Sequence, residues 1–128
     1  MGLTLRVYEE PISLCQLPSD VAAPASILTQ PFTYFFRTRD EATLICPTAL
    51  VPENVKTEHG FLAIEFVGPF DFALTGILTQ VANPLADAGV SIVALSTFTT
   101  DYILIKAAHC DTALTAIRRA GHTVLEAA

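Results

Sequence analysis

Carboxylate, hydroxyl and aromatic side chains come together in two short runs of the second half of this chain. One run reads GPFDFALTGIL (68–78) and the other reads STFTTDYIL (96–104). Asp71 or Asp101 could accept hydrogen bonds from an ammonium group, a charge-assisted interaction worth about 1.5–3 kcal/mol. The N–H groups after Gly68 and at the start of a helix could bind an anion, and Phe72 or Phe98 could wall an apolar pocket. These residue types favour small-molecule binding.

The same residues also have ordinary structural explanations, which stay open at this stage. Asp71 is well placed to cap a helix, and Asp101 is typical of a hairpin turn. Phe70 and Phe72 flank the helix start and could belong to the core. Gly76 favours close packing of the helix, because a glycine inside a helix costs about 1 kcal/mol and needs a reason to be there.

No arrangement typical of catalysis accompanies these runs. Cys110 lies beside His109, but adjacent residues rarely face each other and a third, orienting group is missing. The three cysteines are odd in number and widely spaced, which is neither a disulfide framework nor a zinc pattern and favours a reducing cytoplasm. The three histidines have no ligand-type spacing. We therefore predict no catalytic residue, no metal and no cofactor.

The spacing of apolar residues from Phe61 to Ala128 predicts the elements that position the two runs. It predicts a strand around 62–67, a helix capped by Asp71, two strands joined by a turn at 99–101, a second helix capped by Asp111 and a closing strand at 122–125. Pro84 predicts a kink or a restart in the first helix. This order, βαββαβ, is that of a ferredoxin-like α+β sandwich. The apolar face of the first helix is predicted to hold Leu74, Ile77, Leu78, Val81 and Leu85.

The first half predicts a more irregular version of the same pattern. Residues 3–17 predict two strands separated at Pro11, and residues 22–28 predict a short helix. Strands at 32–36 and 42–46 enclose a charged turn, and this hairpin parallels the hairpin of the second half. We therefore predict two tandem lobes, residues 1–60 and residues 61–128, with a boundary at Gly60.

Composition restricts the partners of the chain. Its 128 residues are 52% hydrophobic and only 16% charged, which predicts that a subunit interface covers part of the apolar surface. We expect a homo-oligomer, with a dimer as the first choice. The net charge of −6 argues against nucleic acid, and no polybasic cluster suggests an anionic membrane surface. No signal peptide or spanning segment is evident, so a soluble cytoplasmic protein is expected.

Together, the two runs resemble the ACT domain, a regulatory amino-acid-binding fold. The resemblance covers residues 61–128 and extends more weakly over residues 3–60. It is greatest to small bacterial double-ACT proteins and to the lobes of the animal cytosolic arginine sensors, and it includes the regulatory domains of aspartate kinases. It implies two ACT-like lobes, the first irregular, that bind a free amino acid at a lobe interface. The ligand contacts that the resemblance implies are Asp71, Phe72, Thr97, Phe98 and Asp101.

One departure from the arginine sensors concerns the ligand. Those proteins carry an acidic side chain early in the first helix, whereas residues 72–75 here read FALT. This argues against arginine and leaves a smaller or apolar amino acid as an alternative. Three functions of different classes remain: an amino-acid sensor acting through protein contacts, a ligand-free assembly module, and a small enzyme, which is disfavoured because no catalytic group is visible.

Overall fold

The computed structural model describes residues 2–68, 70 and 76–125, and the chain forms two compact units. Unit 1 contains Met1–Glu9 and Leu62–Ala128, and unit 2 contains Glu10–Phe61. In chain order the elements are β1 (Thr4–Val7), β2 (Ile12–Leu17), β3 (Tyr34–Arg37), β4 (Ala42–Pro47), β5 (Lys56–Phe66), α1 (Thr79–Asp87), β6 (Val93–Ser96), β7 (Asp101–Lys106), α2 (Cys110–Arg119) and β8 (Thr123–Leu125). Short 3-10 helices follow β4 at Thr48–Leu50 and β7 at Ala107–His109.

Strand β1 is built into unit 1, although the whole of unit 2 separates it from the rest of that unit in sequence. It pairs antiparallel with β5, where Leu5 lies opposite Phe66, and parallel with β8, where Leu5 lies opposite Val124. On the other side of β5 lie β7 and then β6. The strand order of unit 1 is therefore β6-β7-β5-β1-β8. The division into lobes at residues 60 and 61 stays a prediction; the structure groups the first nine residues with the second half.

The core of unit 1 lies between this sheet and the two helices. Alternate residues of β1, β5 and β7 are buried on one face, while α1 contributes Val81 and Leu85 and α2 contributes Ala113 and Ile117. The spacing of four places each helical pair on one side of its helix. The buried strand residues are Leu5, Val7, Ile64, Phe66, Ile103 and Ile105.

Unit 2 repeats the strand order of unit 1 without the inserted strand. Its strand order is β3-β4-β2-β5, which places the second, third, first and fourth strands of the unit side by side. In unit 1 the corresponding strands are β6, β7, β5 and β8, and β1 lies between the last two. Its core holds Cys15, Leu17, Ala42, Leu44 and Cys46. The predicted α+β, ferredoxin-like class and the tandem arrangement with an irregular first lobe are confirmed.

Unit 2 differs from the prediction in two places. The helix predicted at residues 22–28 is a series of turns, in which the N–H of Leu28 bonds the carbonyl of Pro24 at 3.0 Å. The nearby prolines lack the donors that a helix needs. Gly60, predicted as a boundary, lies inside β5 with φ +84°, where the pairing with β2 shifts register between Ile12 and Leu14. A glycine at a β-bulge adopts this conformation without strain.

Unit 1 differs from the prediction in four details. Gly76 has φ +77°, a conformation that an α-helix does not contain, so α1 begins at Thr79, and the predicted cap Asp71 lies outside the described residues. Among the described residues, a Cβ on Gly76 would meet only Thr79 Oγ1, at 3.7 Å, so these contacts give no support to the proposed packing role of Gly76. Helix α1 continues past Pro84 to Asp87, so the predicted restart does not occur. The hairpin turn lies at 97–100 instead of 99–101.

Candidate functional site

A cavity of about 220 Å³ opens in unit 1 at the end of the β6–β7 hairpin. The hairpin forms its polar side, and the segment that leads into α1 forms its apolar side. The cavity lies where β5 ends and the chain turns toward α1, next to the strand ends of the hairpin. Its lining residues are Phe70, Gly76, Ile77, Leu78, Ser96, Thr97, Phe98, Thr99, Thr100 and Asp101.

Threonine side chains fix the shape of the hairpin turn. The N–H of Thr97 donates to the carbonyl of Thr100 at 2.9 Å, and the N–H of Thr100 donates to Oγ1 of Thr97 at 3.1 Å. The two hydroxyl oxygens lie 2.8 Å apart. A threonine that bonds its own turn in this way stabilises a short polar loop without a glycine. The turn therefore presents hydroxyl groups to the cavity on a defined backbone.

Asp101 supplies the carboxylate of the cavity. It is the first residue of β7 and lies opposite Ser96, whose hydroxyl donates to Oδ1 of Asp101 at 2.6 Å. The interpretation of Asp101 as a turn residue is therefore wrong, because its backbone belongs to the strand. No lysine, arginine or histidine occurs among the described lining residues, so Asp101 gives the cavity a negative charge. Such a site attracts a cationic group and holds it through charge-assisted hydrogen bonds.

The segment after β5 borders the cavity and is bonded to the hairpin. The N–H of Phe70 donates to the carbonyl of Thr99 at 2.8 Å, which joins this segment to the hairpin. A Cβ on Gly68 would lie 3.0 Å from the nitrogen of Phe70 and 3.1 Å from Cγ2 of Thr100. Only glycine therefore fits at position 68 without displacing its neighbours.

The structure brings three of the five sequence-predicted residues to this cavity. Thr97, Phe98 and Asp101 line it, while Asp71 and Phe72 lie outside the described residues. The side chain of Phe98 is 79% exposed, which places it at the rim. The sequence did not predict Ser96, Phe70, Ile77 or Leu78 as ligand contacts. Ser96 could have been found from its position opposite Asp101 once the turn was placed correctly.

The surroundings of Cys110 and Cys46 disfavour a reactive thiolate. Cys110 opens α2 and His109 precedes it, and burial together with the charge of Asp111 raises the pKa of the Cys110 thiol. Burial likewise raises the pKa of Cys46 to about 11. A thiol with a raised pKa is a poor nucleophile, because the thiolate is the reactive form. Over residues 2–68, 70 and 76–125, no three His, Cys, Asp or Glu residues are grouped as metal ligands, and no helix is long and apolar enough to cross a membrane.

Comparisons with known proteins place this fold among regulatory domains. The family model described as the ACT domain matches residues 56–119, half of the chain. No curated protein matches. A solved structure of a protein from Agobacterium tumefaciens is similar over 98% of this chain and 94% of its own, with 28% identity and a TM-score of 0.91.

Structures connected with aspartate kinases share the fold at lower identity. The regulatory subunit of aspartate kinase from Thermus thermophilus, solved in its ligand-free form, is 12% identical over 94% of this chain and 99% of its own, with a TM-score of 0.62. The aspartate kinase of Clostridium acetobutylicum, described as an allosteric enzyme, is 12% identical with a TM-score of 0.67. The similarity covers 91% of this chain but only 34% of that enzyme.

Proposed function

The chain belongs to the ACT-domain family, and from this we propose that it is a regulatory module that binds a free amino acid in the cavity of unit 1. ACT domains are regulatory domains, and we propose no catalytic activity for this one. The observation that carries the proposal is the cavity at the β6–β7 hairpin, with one carboxylate and several hydroxyl groups beside an apolar wall. An amino acid needs an acceptor for its ammonium group, donors for its carboxylate and an apolar surface for its side chain.

Asp101 is the proposed acceptor for the ammonium group, because it is the charged side chain of the described lining. The hydroxyls of Thr97 and Thr100 and the backbone N–H groups that lead into α1 are proposed to hold the carboxylate. Ile77 and Leu78 supply the apolar wall. Asp71 and Phe72 stay proposed as further contacts, and Phe98 is proposed to cover the ligand from the rim.

The charge of the cavity disfavours an acidic amino acid. A basic side chain that would pair with an acidic ligand is absent from the described lining. Burying an unpaired charge costs several kcal/mol, so this class is disfavoured. The size of about 220 Å³ suits a small or apolar amino acid.

Thermal unfolding in the presence of each standard amino acid tests the proposal. A ligand at about 100 times its Kd adds about 2.7 kcal/mol to the stability of the folded state, so one or a few amino acids should raise Tm by several degrees. Asp101→Asn should abolish that shift, because the ammonium group loses its anionic partner. Asp40→Asn is the matched control, since Asp40 is an exposed carboxylate in the hairpin of unit 2. An unchanged shift in Asp101→Asn would contradict the assigned site.

A second candidate function, an assembly module without a ligand, is favoured by the border of unit 2. Strand β3 pairs with β4 alone in the described part of the sheet, and two of its aromatic side chains are exposed: Tyr34 by 37% and Phe36 by 56%. An apolar strand at a sheet edge pairs readily with another chain.

We propose that the protein is a homodimer in the cytoplasm. Neither nucleic acid nor a membrane is proposed as a partner.

Phe36→Glu is expected to convert this dimer to a monomer, because a charge would be buried at the β3 edge without a partner. The molar mass should be measured by light scattering during size-exclusion chromatography. Phe98→Glu introduces the same charge at another exposed phenylalanine and should leave the mass unchanged. A dimer that persists in Phe36→Glu would exclude the β3 edge. A flat response to all amino acids, with an intact dimer, would favour the assembly module.

A further inference from the structure

The hairpin of unit 2 has the same internal hydrogen bonds as the hairpin that forms the cavity in unit 1. The N–H of Thr38 donates to the carbonyl of Glu41 at 2.8 Å, and the N–H of Glu41 donates to Oγ1 of Thr38 at 3.2 Å. The corresponding bonds between Thr97 and Thr100 measure 2.9 and 3.1 Å. The two turns are therefore equivalent residue by residue, with Thr38 in the place of Thr97.

The residues that flank the two turns differ in chemistry. In unit 1 the last residue of β6 and the first residue of β7 are Ser96 and Asp101, which pair across the hairpin. In unit 2 the same positions hold Arg37 and Ala42, which pair in the same way. Ala42 is fully buried and brings no charge. Unit 2 therefore has alanine at the position of Asp101, and the cationic Arg37 at the position of Ser96.

The guanidinium of Arg37 bridges the place where unit 1 has its cavity. Its Nη1 donates to the carbonyl of Ser19, and its Nη2 donates to the carbonyl of Val21 at 2.5 Å. Its Cζ lies 5.3 Å from the centroid of the Phe35 ring, a cation–π distance. Ser19 and Val21 are the second and fourth residues after β2, as Gly68 and Phe70 are after β5. In unit 1 the cavity lies at this end of the hairpin, and Phe70 is among its described lining residues.

We propose that Arg37 is a built-in occupant of the unit 2 counterpart of the site, so that each chain has one open ligand site, in unit 1. The guanidinium satisfies two backbone carbonyls and an aromatic face, which is what a free cationic ligand would do there. The number of one ligand per chain rests on the proposed amino-acid binding. The occupancy of a cation site by Arg37 is independent of it.

Chemical rescue tests the occupancy directly. Arg37→Ala should lower the Tm of the full chain by about 2–5 °C, because two charge-assisted bonds are lost. Methylguanidinium at millimolar concentration should restore most of that loss, whereas methylammonium and sodium chloride at the same concentration should not. Denaturation by guanidinium is negligible in this range, since it scales with molar concentration. Arg39→Ala, which removes an exposed arginine from the same turn, should neither lower Tm comparably nor respond to methylguanidinium.

The outcomes separate this proposal from the proposed function. A Tm that is unchanged in Arg37→Ala, or a loss that methylguanidinium does not selectively restore, would overturn the occupancy by Arg37. With an amino acid that raises Tm in the wild type, calorimetric titration should give one ligand per chain, and two ligands per chain would also overturn it. Rescue in a chain that binds no amino acid would support the occupancy and reject the proposed function alone.

Discussion

Leu5→Ala is expected to lower the free energy of unfolding of unit 1 by about 2–5 kcal/mol, the usual cost of a cavity in a close-packed core. Leu5 is fully buried in β1 and belongs to the core that the sheet and the two helices of unit 1 enclose. It lies opposite Phe66 on one side and Val124 on the other. A smaller residue at this position therefore weakens the pairing of β1 with both β5 and β8.

Hydrogen exchange measured by mass spectrometry locates the effect along the chain. In Leu5→Ala, amide protection should fall in β7 and β8 and stay unchanged in β3 and β4. Leu44→Ala is the matched control: it makes the same chemical change at a fully buried position in the core of unit 2 and should show the opposite pattern. If Leu5→Ala instead exposes β3 and β4, the first nine residues act with the first half of the chain, as the predicted division at residue 60 requires.

The sequence predicted which segments are strands but not where β1 pairs. Apolar alternation predicts one buried face for residues 3–7, and β1 lies at Thr4–Val7. Alternation does not identify the partner of a strand, because pairing between distant segments leaves no local signal. Proximity in sequence assigns β1 to the lobe that contains residues 10–60. The structure pairs it with β5 and β8.

The start of α1 shows a second limit of prediction from the sequence. The spacing of Leu74, Ile77 and Leu78 continues the apolar pattern of Val81 and Leu85, so periodicity alone predicts one uninterrupted helix. Gly76 adopts φ +77°, a backbone state that a glycine permits but does not require. The family resemblance predicted Thr97, Phe98 and Asp101 as ligand contacts without the position of the helix start, because it depends on a sequence motif.

His122 is a residue whose role the sequence did not indicate, and its environment explains why α1 tolerates Pro84. The imidazole is buried, with Nδ1 accepting the N–H of Leu3 at 3.0 Å and Nε2 lying 3.0 Å from the carbonyl of Gln80. In an α-helix that carbonyl would accept the N–H of residue 84, which proline lacks. The histidine therefore takes the place of the missing backbone donor and also fixes the start of β1.

His122→Phe is accordingly expected to destabilise unit 1 by about 2–4 kcal/mol. A ring of similar shape fills the space, but the N–H of Leu3 and the carbonyl of Gln80 both lose their partner, at about 1–3 kcal/mol for each group that stays buried. Urea unfolding followed by circular dichroism measures the loss. His109→Phe, which changes an exposed histidine, should be within about 0.5 kcal/mol of the wild type.

A double-mutant cycle with Pro84→Ala separates the bond to Gln80 from the rest of this effect. Alanine at position 84 restores an N–H that can donate to the carbonyl of Gln80, so His122→Phe should cost about 1 kcal/mol less in that background. Pro52→Ala, a proline outside the helix, should give no such coupling with His122→Phe. If the costs of His122→Phe and Pro84→Ala simply add, the histidine does not substitute for the proline's missing donor, and its contribution comes from the bond to Leu3 and from packing. A coupling of the expected sign would mean that a helix with an interior proline is completed by a side chain from the far end of the same unit.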